Sequence, residues 1–423
     1  MRSTRVGLVC GYLDPMRDGV ADYTRRLAGH LRAAGVDAVL CTTHALAAAH
    51  GEAAVGVTGR WDLPGVLTAA RALRRLDLDL VHVQIAPSAY GGSRAVGLLP
   101  LLLPQRLVVT LHEYGVWAGQ GYAAGVRSAL WGSLERSGLV DRETLLLAPW
   151  AACCLVPARE HHDVLHARFG RRAPRSVEVP IGLNVELVSD QSATVRADVR
   201  RALGAQPSSP LVVFFGFLHP EKALDRLITA VADMKADHPD AQLLLIGGAE
   251  SHSVPPAAAR TLRSQLDQVA AGCGMQERVH FTGYLPDHEI SRLLHAADVA
   301  AFPLNDGVTR KSGSLLTALE AGVPVVATAP AGEVSQPTER GSVLRIPPRD
   351  TAALTAALRR VLGDPALAER LRSAGAEAAG RQTWNAIAAA HADVYAAAMA
   401  AASARGTNVD RRRRSGQGGH QTT

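Results

Sequence analysis

Short apolar runs rich in β-branched residues alternate along this chain with longer Ala/Leu/Arg stretches, and the alternation occurs twice. The first series holds "RVGLV", "DAVLC", "LVHVQ", "RLVVTLH", "CCLVP" and "SVEVP". Between them lie stretches such as "VADYTRRLAGHLRAAG", whose apolar residues recur at helical spacing. Strands separated by helices imply parallel βαβ units, and nearly continuous apolar strands imply helices on both faces. Residues 186–209 break the rhythm with a polar stretch that closes on Pro207-Ser208-Ser209-Pro210. It reads as a linker with a short helix. A second series follows: "LVVFFGF", "QLLLIGG", "RVHFTGY", "VAAFPL", "VPVVAT" and "SVLRI". The expected fold class is α/β, with doubly wound parallel-sheet domains over 1–185 and 210–380 and the linker 186–209 between them. A helix over 381–402 follows, and then a disordered basic tail, 403–423. Open sheets of this kind bind ligands outside the carboxyl ends of their strands, so a cleft between the two domains is the expected site.

Composition narrows the partners. The net charge is +6, of which the run Arg411-Arg412-Arg413-Arg414 supplies four. Aromatic residues make up 4%, too few for base-stacking surfaces, so no nucleic acid is expected as a partner. Five scattered cysteines show no paired metal spacing and fit a reducing compartment. The N-terminal "MRSTRVGLVCGYLDP" reads as a first strand and not a signal peptide, and no apolar run is long enough to span a bilayer. A cytoplasmic protein is expected, with peripheral contact at the inner membrane face as a further expectation.

Two segments carry chemistry. In "GFLHPEKALDRLITAV" a strand-end loop delivers Lys222 to the start of an amphipathic helix, where its ammonium can reach an anion. Lysine occurs elsewhere only at Lys235 and Lys311, in a chain that otherwise writes its cations as arginine. In "TRKSGSLLTALEAGVPVV" a helix begins at Ser312, Gly313 and Ser314, beside Arg310 and Lys311. Free backbone N–H groups, hydroxyls and nearby cations form an anion cradle there.

Taken together, these segments resemble the GT-B-fold glycosyltransferases of family 4, which are built from two Rossmann-like domains facing each other across a cleft. The resemblance covers nearly the whole chain. It is carried by "DGVADYTRRLAGHL", "DLVHVQ", "VVTLHEYG", "VEVPIGLNVE", "FFGFLHPEKALDRLITAV", "QLLLIGGAE", "VHFTGYLPDHEISRLLHAADVAAFPL", "ALEAGVPVVAT" and "WNAIAAAHADVY", in that order. It implies transfer of a sugar from a nucleotide-sugar donor to a hydroxyl of a sugar, lipid-linked or small-molecule acceptor, with retention at the anomeric carbon. The nucleotide sugar is then a co-substrate, and no other cofactor and no divalent metal is expected. Lys222 matches the family's diphosphate-contacting lysine, Gly19 its glycine loop, and His112 its strand-end histidine near the transferred sugar. Arg310, Lys311, Ser312, Gly313 and Ser314 are expected at the diphosphate.

The chain departs from the family pattern where donor hydroxyls are gripped. Phe217 stands where an arginine is common, and Ala223 where glycine usually follows the lysine. Both members of the family's glutamate pair read threonine, at Thr309 and Thr317. Asp306, Thr317, Ser314 and Glu320 are the candidates to hold the donor sugar and ribose instead. Two other readings stay open: a catalytically silent sugar-nucleotide-binding subunit that serves a partner transferase, and a GT-B sugar-nucleotide epimerase. For the acceptor, "WAGQGYAAGVRSALWGSLERSGLV" mixes Trp117, Tyr122 and Trp131 with Arg127 and Arg136. It reads as a core-facing helix or as an acceptor-side or membrane-facing one.

Overall fold

A computed structural model describes residues 3–115, 126–188, 193–250, 254–308, 312–330, 333–334, 338–380 and 382–416. The chain forms two compact units. Met1–Pro180 and Trp384–Thr423 make the first, and Ile181–Thr383 makes the second.

The first unit is a seven-stranded parallel sheet. Its strands are β1 (Thr4–Cys10), β2 (Val36–Thr43), β3 (Ala54–Thr58), β4 (Leu80–Ile85), β5 (Arg106–Leu111), β6 (Cys153–Val156) and β7 (Ser176–Glu178). They lie in the order β3-β2-β1-β4-β5-β6-β7. The order reverses between β1 and β4, so the carboxyl ends of these two strands flank the topological switch point. Helix α1 (Gly19–Ala33) follows β1, and the Asp18 carboxylate caps it by accepting from the Ala21 amide at 2.8 Å. Every residue of β4 is buried, including His82 and Gln84.

The second unit repeats the plan. Its strands are β8 (Leu211–Phe215), β9 (Gln242–Ile246), β10 (Val279–Phe281), β11 (Val299–Phe302), β12 (Val325–Thr328), β13 (Thr338–Arg340) and β14 (Val343–Ile346). The order is β10-β9-β8-β11-β12-β14-β13, parallel except for the antiparallel pair β13 and β14. Here the switch point lies between β8 and β11. Both strands are apolar and buried throughout, as expected for interior strands covered on both faces.

The boundary at Pro180 and Ile181 precedes the expected linker. Much of the 186–209 stretch is folded onto the second unit through helix α2 (Ala193–Ala202). Arg200 explains why. Its buried guanidinium donates to the carbonyls of Ser209 and Ala296, each at 2.9 Å, and to the Asp298 carboxylate at 2.6 Å. Asp298 also accepts from the Leu211 amide at 2.8 Å, at the amino end of β8. A polar sequence is thus held down by one fully satisfied buried cation.

The terminal helix runs Trp384–Gly416, past Ser403, where the tail was expected to become disordered. Alanine and arginine are strong helix formers, and their run through this region continues the helix. The helix packs on the first unit: Tyr23 of α1 touches both Trp384 and His391, with ring centroids 5.2 and 6.3 Å apart.

Candidate functional site

At the second unit's switch point the chain is shaped by glycine. β8 ends in Gly216, whose φ of 140° lies outside the range side chains favour. A Cβ there would meet the Ser314 hydroxyl at 2.9 Å, and one on Gly247 would meet the Gly216 carbonyl at 2.1 Å. The ends of β8 and β9 and the start of the next helix therefore converge without intervening side chains. The loop then makes a single 3-10 turn, Pro220–Lys222, and Ala223 takes the left-handed conformation at φ 51° before helix α3 (Leu224–Asp233). Asn305, in the loop after β11, donates its amide to the Glu221 carbonyl at 2.9 Å and is bonded by Arg226. Lys222 is thereby fixed beside the β11 loop.

Lys222 is half-buried, and among the described residues no hydrogen bond or ion pair reaches its ammonium. Burial lowers its pKa, and neighbouring Glu221 pulls the other way. A desolvated cation without a partner favours the arrival of an anion.

Helix α4 (Gly313–Glu320) starts beside Gly216. Ser312 is its N-cap, with its hydroxyl accepting from the Leu315 amide at 3.3 Å. Gly313 has no room for a side chain, because a Cβ would lie 2.3 Å from the Asn184 amide oxygen. Ser314 is half-buried, and its hydroxyl has no hydrogen-bond partner among the described residues. Gly216 and the Ser312–Ser314 helix start thus meet at the carboxyl edge of β8, and the Lys222 turn follows Gly216 in the same strand-end loop. Arg310 and Lys311, expected with them, lie outside the described residues, as does Thr309.

Of the acidic and hydroxyl candidates, Ser314 lies in this group, whereas Thr317, Asp306 and Glu320 are placed differently. Thr317 is fully buried, donates to the Gly313 carbonyl at 2.9 Å and accepts from the Asn184 amide at 3.3 Å. Its hydroxyl ties the helix to the 181–185 segment. Asp306 is exposed and paired with Arg349 at 3.3 Å. Glu320 closes α4, six residues past Ser314 and about 9 Å farther along the axis. The sequence spacing placed Glu320 on the right face, but the helix carries it away from the carboxyl edge.

In the first unit, His112 follows β5 directly and is 8% exposed. Its Nε2 lies 2.8 Å from the Gln84 amide oxygen, and its ring meets Tyr23 edge-on at 4.8 Å. Tyr23 is one turn beyond Gly19, so His112 and Gly19 sit near the same end of α1. A Cβ on Gly19 would meet nothing within 4 Å, which leaves open space before that helix. Sequence reasoning missed Gln84 because a fully buried strand gives no period to read; the polar pair His82 and Gln84, two residues apart, was the available signal.

In the acceptor-side stretch, Trp117, Tyr122 and the side chain of Arg127 lie outside the described residues. The helix Val126–Arg136 is anchored by buried Glu135, which accepts from the Arg142 guanidinium at 2.5 and 2.7 Å, and it exposes Leu130 and Leu134. All five cysteines are free. Among the described residues, no three His, Cys, Asp or Glu side chains converge to hold a metal, and no helix is long and apolar enough to cross a membrane.

Two family models match the chain. "Glycosyltransferase Family 4" matches residues 17–187, and "Glycosyl transferases group 1" matches residues 209–364. A D-inositol 3-phosphate glycosyltransferase of Streptomyces bingchenggensis is 30% identical over 57% of this chain and 51% of its own length. The chain thus spans about half the length of that relative. A phosphatidyl-myo-inositol mannosyltransferase of Mycobacterium leprae is 28% identical over 92% of this chain and 96% of its own. Among solved structures, HepE of Anabaena in complex with UDP and glucose superposes with a TM-score of 0.68 at 16% identity, over 93% of this chain and 100% of that one. That likeness speaks for the fold: two parallel-sheet α/β units of the GT-B kind.

Proposed function

Since the chain belongs to the group 1, family 4 glycosyltransferases, we propose that it moves a sugar from a nucleoside-diphosphate sugar to an acceptor hydroxyl, with retention at the anomeric carbon. The observation that carries this reading is the half-buried ammonium of Lys222, without a partner among the described residues, on the strand-end loop whose Gly216 adjoins the amino end of α4. As the bond between the anomeric carbon and the diphosphate oxygen breaks, negative charge grows on the leaving phosphate. A preorganised cation and the free N–H groups of a helix start stabilise that charge most when water is excluded. No divalent metal is then required, and turnover in excess EDTA equal to turnover in magnesium is the expected result.

His112 is proposed to contact the transferred sugar, and Gly19 to let the donor phosphate approach the backbone. The relatives named for inositol phosphates make a phosphorylated or lipid-linked polyol the acceptor class of choice. A lipid-linked acceptor fits the exposed Leu130, Leu134 and Leu139 beside Arg136. Co-sedimentation with anionic vesicles at low salt tests that part. The free thiols fit a reducing compartment.

Donor hydrolysis and transfer across a panel of nucleotide sugars test the whole reading. Turnover with one donor supports it. Nucleotide binding without turnover favours a silent partner subunit, and neither binding nor turnover with any donor removes it.

A further inference from the structure

One buried polar chain in the first unit is not used by the donor chemistry above. It starts on the terminal helix. The Tyr395 hydroxyl lies 2.7 Å from His82 Nδ1, and the Thr110 hydroxyl lies 2.7 Å from His82 Nε2. The Gln84 amide nitrogen reaches the His82 ring at 3.1 Å, and its amide oxygen faces His112 Nε2 at 2.8 Å. Gln84 and Thr110 are register partners on β4 and β5, so the sheet itself sets their spacing. A second tie runs alongside. His391 Nδ1 donates to the Ile387 carbonyl at 2.8 Å, which leaves Nε2 to accept from the Tyr23 hydroxyl at 3.3 Å. Tyr23 in turn stands edge-on to His112.

These side chains are all under a tenth exposed. Burial pushes His82 and His391 toward the neutral form, and for His82 the nearby His391 and His112 act in the same direction. A neutral imidazole has one N–H and one acceptor nitrogen, and its partner decides which is which. An amide oxygen can only accept. The Gln84 oxygen therefore requires the proton of His112 on Nε2 and leaves Nδ1 as the nitrogen with the lone pair.

We propose that Gln84 is a positioning residue: it fixes His112 in the Nε2–H tautomer and orientation, and the terminal helix holds Gln84 in place through Tyr395 and His82. The proposal rests on the reading of His112 as the residue that meets the transferred sugar. Its consequence is that a helix far along the chain sets the chemistry of a strand-end histidine near the start.

The test joins a spectroscopic and a kinetic readout on the full chain. Nitrogen-15 NMR of histidine-labelled protein reports the His112 tautomer, assigned by its loss in His112→Ala. The expected parent state is Nε2–H, and a parent in the Nδ1–H state overturns the proposal; His112→Gln supplies the assignment where His112→Ala does not fold. In Gln84→Leu the two tautomers should mix, and kcat should fall about 10- to 100-fold with KM for the donor within about twofold. Tyr395→Phe should lower kcat less, in the same direction. Turnover lost in His112→Ala but kept in Gln84→Leu overturns the proposal alone. Parent-like turnover in His112→Ala overturns it together with the reading of His112 on which it rests.

Discussion

The two sheets share the order of their first five strands and differ in where they bury their polar groups. In the first unit, His82, Gln84 and Thr110 lie within β4 and β5, and His112 follows at the carboxyl edge, all bonded to one another or to the terminal helix. In the second unit the switch-point strands β8 and β11 are apolar, and a buried charge sits at the amino edge, where Asp298 holds Arg200 ahead of β8 and β11. At the second unit's carboxyl edge lie Gly216, Gly247 and Lys222, a lysine with no partner among the described residues. Polar groups that satisfy each other build stability, whereas a cation left unsatisfied stores affinity for a ligand. One unit satisfies its polar groups within the fold, and the other leaves a cation available at its carboxyl edge.

The contrast can be broken experimentally, beginning where the effect is largest. Asp298→Ala leaves the Arg200 guanidinium buried without its carboxylate and the Leu211 amide without its acceptor. The second unit should lose about 3–5 kcal/mol in urea unfolding. Hydrogen exchange should quicken across β8 first; unchanged exchange there would mean the amino edge is not the anchor.

Lys222→Ala should reduce turnover by about 100- to 1,000-fold. It removes a desolvated cation that has no partner among the described residues, so the melting temperature should stay level or rise. Activity and stability falling together would make Lys222 a structural group and erase the distinction between the edges.

Acid should act on the first unit. Burial holds His391 down to about 4, below its ordinary 6.5. The unfolded chain takes up that proton near 6.5 and the folded chain only near 4. Stability is therefore full above pH 6.5 and falls as the pH drops toward 4, by about 2 kcal/mol at pH 5 from this group. Denaturant unfolding at pH 7 and pH 5 should show the loss in the parent and less of it in His391→Gln.

The smallest effect belongs to Ala223. A left-handed alanine costs about 1 kcal/mol and its buried methyl contributes about 0.8 kcal/mol, so Ala223→Gly should move stability by less than about 1 kcal/mol. Turnover should not change, provided the Lys222 turn keeps its shape.

Much of this was legible in the chain. The two alternating series gave both sheets because apolar strands and helical repeats have distinct periods. Lys222 stood out by its position after β8, and Ser312 by capping chemistry. The failures share a cause. Thr317 and Glu320 were weighed by spacing along a helix, but whether a side chain faces a ligand depends on the segment packed against that helix, here Asn184 and its neighbours. The 186–209 stretch looked like a linker because polarity was read as exposure, and Arg200 is a buried exception. The ties from Tyr395 to His82 and from His391 to Tyr23 join residues hundreds of positions apart, and no local pattern announces them.

The first unit is interrupted in sequence by the whole of the second, since the chain leaves it at Pro180 and returns at Trp384. On a ribosome the second unit emerges as one uninterrupted stretch and can fold as soon as it is out. The first must wait: His82 lacks the Tyr395 hydroxyl until Ile181–Thr383 has been synthesised, roughly 10 to 40 s at ordinary elongation rates. During that interval β4 exposes a polar face with no helix to cover it. Codon changes that slow translation through Ile181–Thr383 should leave the first unit vulnerable to chaperones and proteases for longer, although they touch none of its residues.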